Sequence, residues 1–314
     1  MVLNGKGNKY GISQKTQQKV LEAAQRLNYT PSRYARSLKT GKSYFLGLVV
    51  TDLTDPFQSG IADRIRGLLK NTDYNLVVCC SGEDEEREQQ LVEMLLNHHG
   101  VDGLIVASTF SNPAFYEQPR FTGIPLVFID RVVPLFRANY VVVDNYGGAN
   151  EVVEHLIKEG SKKVAAFAIT PLHLSTIEDR INGYRTAMRN GGQHDTSDLI
   201  KAVRRDHLIE DIEMHLNEMN VNGERLDAIF SLNITVTLAL LKVLKKKEYA
   251  RFMRVKVACF DDHEMFDFIN RKITSVSQPV DDLVKNAHDL LMDLINGRKV
   301  NRSFTVLTPR LISR

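Results

Sequence analysis

The hydrophobic positions of this chain follow two patterns that alternate along most of its length. Short apolar runs, such as residues 45–50 and 103–106, predict buried strands. Stretches with apolar residues at helical spacing, such as 61–69 and 87–96, lie between such runs and predict amphipathic helices. Because strands that alternate with helices form parallel sheets covered on both faces, the pattern predicts an α/β fold.

The same alternation continues towards the C-terminus. Further strands are predicted at 76–79, 126–129, 164–168, 226–230 and 255–260, and further helices at 147–158 and 180–189. These are too many units for one small sheet, so we expect two doubly wound parallel-sheet lobes. Residues 190–224 show no pattern that we can interpret.

The first forty residues have a different pattern. Ser13 is placed to cap a helix in which apolar residues recur at helical spacing as far as Leu27. Pro31 suits the first turn of a second, short helix, which Gly41 would end. At about two turns, this second helix is too short to be stable alone in water.

The second short helix carries groups that suit the DNA minor groove. Arg33 and Arg36 lie at i, i+3, and Leu38 is at its far end. In minor-groove binding, Arg side chains contact the backbone and the groove floor, while an apolar wedge opens a base step. A marginal helix of this kind would fold only on DNA.

Composition and charge support two units of different character. At 314 residues, with 43% hydrophobic and 25% charged residues, the chain suits two or three globular domains. Its net charge of +3 is unevenly distributed. Residues 1–43 hold nine Lys and Arg against one acid, Glu22, whereas the remainder holds 32 basic and 37 acidic residues. A basic arm on a mildly acidic body indicates phosphate-backbone binding, although a solvated basic tail is the alternative.

Several classes of protein are not favoured. No apolar run is long enough to cross a bilayer, and the N-terminus has no secretion signal, so we predict a cytoplasmic protein. The cysteines lack metal-site spacing, and we predict neither a metal nor a cofactor. Without a nucleophile elbow, a phosphate loop or a Rossmann fingerprint, the chain is predicted not to be an enzyme.

The N-terminal residues resemble the headpiece of the LacI/GalR family of bacterial transcription regulators. The similarity lies in residues 2–5 (VLNG), 11–13 (GIS) and 27–38, which fit the hinge pattern NYxPxxxAxxL. The resemblance implies that Leu38 is an intercalating leucine. The predicted DNA-contacting residues are Tyr29, Ser32, Arg33, Arg36 and Leu38.

The headpiece also departs from the family. The two helices of the helix-turn-helix should precede Val2, so we expect this chain to hold only the third headpiece helix and the hinge. Base-specific readout in the major groove is therefore in doubt for this chain. A start codon set too late or a trimmed sequence would each explain the difference.

Residues 44–314 resemble the effector domain of the same family, whose fold is shared with periplasmic sugar-binding proteins. The similar runs include 54–57 (TDPF), 101–105 (VDGLI), 128–131 (FIDR) and 143–149 (VDNYGGA). In that fold the chain crosses between lobes three times, here expected near 157–162, 274–278 and 305–308. The predicted units are a headpiece and hinge (1–43), an N-lobe (44–157 plus 277–305) and a C-lobe (158–276 plus 306–314).

Polar and aromatic residues just past predicted strands are the candidates for ligand binding, because ligands of open α/β sheets lie beyond the carboxyl ends of the strands. They are Asp55, Phe57, Ser108, Arg131, Asp144, Asn233, Thr235 and Asp261. The resemblance adds Arg180 as a ligand-clamping arginine. This set suits a polyol such as a sugar.

Structural roles are open for some of these side chains. The alternative role of Asp55 is to cap the helix that begins at Pro56, without contacting a ligand. The alternative role of Arg131 is an ion pair with Asp130 that closes the lobe. Of Asp261 and Asp262, one could be a helix cap.

Together these features predict a DNA-binding regulator, a repressor that a sugar or sugar derivative controls allosterically. Its partners would be operator DNA in the full-length protein, a small-molecule effector, and a second copy in a homodimer or higher oligomer, with no membrane partner. Whether the ligand releases or promotes DNA binding stays open. The alternative is the solute-binding protein of a transporter, which would need an export signal and have no use for the basic segment.

Overall fold

The computed structural model describes residues 2, 7–27, 40–221, 225–301 and 303–314. The strands in these ranges form two six-stranded sheets. They are β1 (Phe45–Val50), β2 (Asn75–Cys80), β3 (Gly103–Val106), β4 (Leu126–Ile129), β5 (Tyr140–Val143), β6 (Val164–Ile169), β7 (Ile200–Val203), β8 (Ala228–Ser231), β9 (Lys256–Phe260), β10 (Ile273–Ser277), β11 (Phe304–Leu307) and β12 (Arg310–Ile312).

The α-helices in the described ranges follow the predicted alternation with strands. They are α1 (Gln14–Arg26), α2 (Pro56–Leu69), α3 (Glu85–Asn97), α4 (Asn145–Lys158), α5 (Ser175–Asn190), α6 (Leu208–Val221), α7 (Ile234–Leu244) and α8 (Val280–Ile295). None of them combines the length and apolar composition needed to span a bilayer.

Each sheet is the core of one lobe. The first lobe has the strand order β11-β5-β4-β3-β1-β2, and all its neighbouring strands are parallel. The second lobe has the order β12-β10-β9-β8-β6-β7, in which only β12 is antiparallel to its neighbour. The predicted fold class is therefore confirmed.

The first sheet is covered by helices on both faces, as a parallel sheet requires. Leu46 and Leu48 of β1 are fully buried on one face, in a cluster with Ile61 of α2. Val49 is directed to the other face and packs in a cluster with Val92 of α3. This explains the unbroken apolar run of β1: a strand buried on both faces has no solvent side on which to alternate.

Helix α4 lies in the second lobe, which corrects the predicted division that placed residues 145–157 in the first. Its apolar residues Ala149, Val152 and Leu156 belong to the core of the second lobe. The chain thus crosses at the end of β5 rather than near 157–162. It crosses again between β10 and α8 and between β11 and β12, because α8 packs on the first sheet.

Helix α1 stands on a predicted cap. The Ser13 side chain accepts a hydrogen bond from the Thr16 backbone nitrogen at 3.3 Å. No residue of α1 is buried against other described residues, and Leu21 is 48% exposed. The five predicted DNA-contacting residues, Tyr29, Ser32, Arg33, Arg36 and Leu38, lie outside the described residues.

Candidate functional site

The carboxyl ends of the two sheets face each other across a cleft that encloses a cavity of about 30 Å³. Residues that follow strands of both sheets line it, as expected for a ligand site of open α/β sheets. The charged side chains among them are Asp55, Glu83, Asp130, Arg131, Arg180, Arg205 and Asp261.

On the first-lobe side, Glu83 and Arg131 form a bidentate ion pair. Arg131 Nη1 and Nη2 donate to the two carboxylate oxygens of Glu83 at 2.5 and 2.8 Å. Burial alone would raise the pKa of Glu83, but the hydrogen bonds and charge of Arg131, with those of Arg205, lower it overall. Asp130 accepts from Gln58 Nε2 at 3.2 Å, and burial raises the pKa of this carboxyl.

On the second-lobe side, α5 directs Arg180 into the cleft. Its Nε donates to Asn145 Oδ1 at 2.8 Å, and its Nη1 donates to the Leu232 carbonyl at 2.6 Å. The guanidinium carbon lies 3.7 Å from the centre of the Phe260 ring, a cation–π contact. These contacts hold the Arg180 guanidinium in place. Burial lowers the pKa of this group below its ordinary value.

Asp261 lies beside Arg180 at the end of β9. It accepts from Gln278 Nε2 at 2.5 Å and from the Ile234 backbone nitrogen at 3.0 Å. Burial raises the pKa of Asp261 to about 7. The positive charge of Arg180 lowers this pKa, and the negative charge of Asp55 raises it further. The Asp261 carboxyl therefore gains or loses its proton near neutral pH.

Several hydrogen bonds join the lobes directly, one of them from the Val132 backbone nitrogen of the first lobe to Ser175 Oγ of the second at 3.0 Å. Thr235 Oγ1 of the second lobe donates to Asp55 Oδ2 of the first at 2.8 Å. Arg205 of the second lobe donates to Asp52 Oδ2 at 3.0 Å and to Glu83 Oε1 at 3.1 Å. The lobes are thus held in a closed arrangement by side chains that also line or flank the cavity.

Three carboxylates of the cleft stand on backbone with positive φ. The angles are 64° at Glu83, 69° at Asp130 and 91° at Asp261. This backbone region is unfavourable for residues other than glycine and costs about 1–3 kcal/mol of conformational free energy per residue. Such strain is concentrated at functional sites. Tyr44 and Leu135 also have positive φ outside the cleft, so the strain supports these three carboxylates as candidates only together with their position around the cavity.

A second cavity, of about 390 Å³, adjoins the first and shares Phe57, Asp261 and Gln278 with it. The enclosed cavity of about 30 Å³ has room for little more than water, well below the roughly 300–1,000 Å³ of typical ligand sites. A sugar-sized ligand would thus fit the smaller cavity only if the lobes separated or the side chains rearranged, whereas the adjoining cavity already lies within that range.

The structure brings most of the predicted ligand-binding residues together. Asp55, Phe57, Arg131, Arg180, Asn233 and Asp261 line the enclosed cavity. Thr235 is beside them through its hydrogen bond to Asp55. Asp55 also caps α2 by accepting from the Phe57 backbone nitrogen at 2.9 Å, so its structural role coexists with its position in the cleft.

Besides Thr235, two predicted residues line neither of these cavities. Asp144 caps α4, and its Oδ1 accepts from the Gly147 backbone nitrogen at 2.7 Å. Ser108 donates to Glu88 at 2.6 Å inside the first lobe. Both residues follow strands, as ligand-binding residues do. In the structure, however, the Asp144 side chain is used as a helix cap and the Ser108 hydroxyl is bonded to the buried Glu88 carboxylate.

Sequence reasoning missed Glu83, Arg205, Gln58 and Gln278 as cleft residues. Glu83 falls in an acidic run that also fits a solvated helix start, although its position just after β2 was an available signal. Arg205 lies in the stretch whose pattern could not be interpreted. Asp130 was expected only as a partner of Arg131, and its Oδ2 lies 3.7 Å from Arg131 Nε.

Comparison with known proteins identifies this architecture. A family profile described as periplasmic binding proteins and sugar binding domain of LacI family matches residues 43–305. The chain belongs to this family. The resemblance seen in the sequence is thereby confirmed.

Individual relatives of the LacI family match nearly the whole chain. It is 26% identical over 304 residues to the HTH-type transcriptional repressor PurR of Vibrio atlanticus, covering 96% of this chain and 90% of that one. It is 27% identical over 310 residues to the ribose operon repressor of Escherichia coli, covering 96% and 91%. A solved complex of the transcriptional regulator CelR with cellobiose is 25% identical, with a TM-score of 0.72, covering 100% of this chain and 93% of that one.

These matches decide between the two functions that the sequence left open. They extend beyond the sugar-binding domain, since they cover 96% or more of this chain, and the proteins concerned are transcription regulators. The chain is a LacI-family transcription regulator, and the solute-binding alternative is not supported.

Proposed function

We propose that a sugar or sugar derivative binds in the cleft between the lobes and thereby changes the affinity of the protein for operator DNA. The observation that carries this proposal is the convergence of charged side chains from both lobes on one cavity, with three carboxylates on strained backbone. The ribose operon repressor and the CelR–cellobiose complex support a carbohydrate as the class of ligand.

The ligand residues in this proposal are those that line the cavity or contact a residue that does. Arg180 and Asp261 hold the ligand from the second lobe, with Asn233 and Thr235, while Asp55, Phe57 and Arg131 contact it from the first. Carboxylates accept hydrogen bonds from hydroxyl groups, guanidinium groups donate to ring or hydroxyl oxygens, and Phe57 covers an apolar face. The two remaining predictions, Asp144 and Ser108, support the site indirectly, through α4 and through Glu88.

The switch works through the arrangement of the two lobes. A ligand in contact with both lobes favours one arrangement over others, and it shifts the population only by the difference between its affinities for them. In a homodimer, the first lobes carry the two hinge segments, so a change in lobe arrangement changes their spacing over a palindromic operator. Such a regulator acts in the cytoplasm, where the operator is.

The decisive experiment measures coupling between the two ligands. Operator duplexes selected from random DNA by the full-length protein are titrated by fluorescence anisotropy, with and without a sugar that raises the melting temperature of the protein. We expect the dissociation constant for DNA to change by about 5- to 150-fold, the usual range for allosteric coupling. An unchanged constant at saturating sugar contradicts the switch.

A further inference from the structure

Several buried polar atoms of the cleft lack a hydrogen-bond partner among the described residues. Three are acceptors: Gln58 Oε1, Asp130 Oδ1 and Gln278 Oε1. Two are donors: Arg131 Nε and Arg205 Nε. All five side chains line the enclosed cavity. Because more than nine in ten buried polar groups in proteins are paired, such a cluster indicates atoms that a ligand or water satisfies.

The orientation of the two amides follows from their neighbours. Gln58 Nε2 donates to Asp130, and Gln278 Nε2 donates to Asp261. Exchanging oxygen and nitrogen in either amide would set an amide oxygen against a carboxylate. The free atom of each amide is therefore the oxygen, an acceptor.

The charges of the cleft give no place to an added anion. Four carboxylates (Asp55, Glu83, Asp130 and Asp261) and three guanidinium groups (Arg131, Arg180 and Arg205) line the cavity. Arg131 is already paired with Glu83, and Arg205 with Asp52 and Glu83. With all four carboxylates ionised, negative charge exceeds positive charge by one. With either Asp130 or Asp261 protonated, the two balance, so an anion meets no surplus of positive charge.

The chemistry of the free atoms selects one class of ligand. A hydroxyl group both donates and accepts, so several hydroxyls on one molecule can pair with all three acceptors and both donors. A phosphate or carboxylate only accepts at neutral pH; it could pair with the two Nε atoms, but it would repel Asp130 and the amide oxygens. We propose that the ligand of this cleft is an uncharged polyhydroxy molecule, and that the carboxylates of the cleft exclude sugar phosphates and sugar acids. This proposal rests on the proposed function of the cleft as a ligand site.

The test compares ribose, fructose and glucose with their own charged forms. The full-length protein is screened by thermal shift with D-ribose, D-fructose, D-glucose and D-cellobiose, with ribose 5-phosphate, fructose 1-phosphate, glucose 6-phosphate and gluconate, and with adenine and guanine. Calorimetry then gives the dissociation constants. We expect an uncharged sugar to bind at least about tenfold more tightly than its charged forms, since a like charge set against an anion costs several kcal/mol.

The other outcomes separate this proposal from the proposed function. Tighter binding of a phosphate or acid form overturns the uncharged class but leaves a ligand-controlled regulator. Stabilisation by a nucleobase alone overturns the polyhydroxy class in the same way. If no sugar in any form shifts the melting temperature, both the class and the carbohydrate function are contradicted.

A variant tests whether a carboxylate is the group that discriminates. Asp130→Asn keeps the size of the side chain and one acceptor oxygen but removes the charge. We expect the preference for the uncharged sugar over its phosphate to fall by about tenfold or more. The control is Asp63, an exposed carboxylate of α2 that pairs with Arg66. Asp63→Asn should leave the ratio of the two dissociation constants unchanged. Equal ratios in Asp130→Asn and in the unaltered protein contradict the role of this carboxylate.

Discussion

Arg205 of the second lobe and Glu83 of the first form an ion pair across the cleft, with 3.1 Å between Nη2 and Oε1. The same carboxylate is held by Arg131 of its own lobe. The Glu83 carboxylate therefore pairs with two guanidinium groups, one from each lobe. The backbone of Glu83 has a φ of 64°. The contact with Arg205 ties the second lobe to the first across the cleft.

Loss of the Arg205 side chain should favour an open arrangement of the lobes. Arg205→Ala removes the bonds to Asp52 and Glu83, while Glu83 keeps Arg131, so we expect closure to weaken by about 1.5–3 kcal/mol. Small-angle scattering without added ligand should give a larger radius of gyration. Arg204→Ala is the matched control, because Arg204 pairs with Asp211 within the second lobe. Equal radii for the two variants would show that Arg205 does not hold the lobes together.

Arg180 is expected to be essential for ligand binding. Arg180→Ala removes a buried guanidinium held by Asn145 and the Leu232 carbonyl, and losing one partner of a buried charged contact lowers affinity by about 2–5 kcal/mol. Calorimetry with a sugar from the screen should show a loss of more than about 30-fold. Arg180→Lys keeps the charge without the planar fork and should lose most of this affinity as well.

The control for Arg180 lies on the same helix. Arg185 of α5 is exposed, and Arg185→Ala should leave the sugar affinity unchanged. Far-ultraviolet circular dichroism of the Arg180 variants should match that of the unaltered protein. An affinity that survives in Arg180→Ala would remove this residue from the site.

The sequence located the part of the site that depends on strand ends. Asp55, Asn233 and Asp261 lie within a few residues of the ends of predicted strands, and the parallel topology brings the ends of such strands to one edge. Glu83 follows β2 and offered the same signal, but Arg205 could not be found in this way. Its significance lies in a contact with Glu83 of the other lobe, about 120 residues away along the chain.

The lobe boundary shows a similar limit. The strands of both lobes were predictable from apolar runs, but helix α4 follows a first-lobe strand and packs in the second lobe. Its apolar face would fit either sheet by pattern alone. The close contact between α4 and α5 places α4 in the second lobe. This contact requires a glycine at position 183, because a Cβ atom there would lie 2.3 Å from the Tyr146 carbonyl oxygen. A close approach of two backbones leaves no periodic signal in a single sequence.

The raised pKa of Asp261 predicts that its contribution to stability depends on pH. Its carboxyl titrates near 7 in the folded protein and near 3.8 when unfolded, so between these values the folded state binds more protons. The contribution is complete below about pH 3.8 and is lost as the pH rises through about 7. Urea unfolding from pH 5 to 8 should show a steeper loss of stability in the unaltered protein than in Asp261→Asn, which keeps only the smaller slope from other buried carboxyls such as Asp130.

The neighbouring Asp262 is the control for pH. Burial alone would raise the pKa of Asp262, but hydrogen bonds from Arg314 and Ser275 and the charge of Arg314 lower it overall. Its contribution is present above the ordinary carboxyl pKa and is lost only in acid, so Asp262→Asn should keep the slope between pH 5 and 8. A slope that is the same in Asp261→Asn and Asp262→Asn would contradict the assignment to Asp261.

Two glycine substitutions should change stability in opposite directions, because their surroundings differ. In Gly183→Ala the new methyl group meets the Tyr146 carbonyl oxygen, which belongs to the backbone of α4 and has little freedom to move, so we expect a loss of about 1–3 kcal/mol. At Gly67 of α2, no described atom outside its own stretch of helix backbone lies within 4 Å of the added Cβ, and alanine should stabilise the helix by about 0.5–1 kcal/mol. Urea unfolding of both variants measures the difference. If Gly183→Ala were as stable as Gly67→Ala, α4 and α5 would not be in the close contact that places α4 in the second lobe.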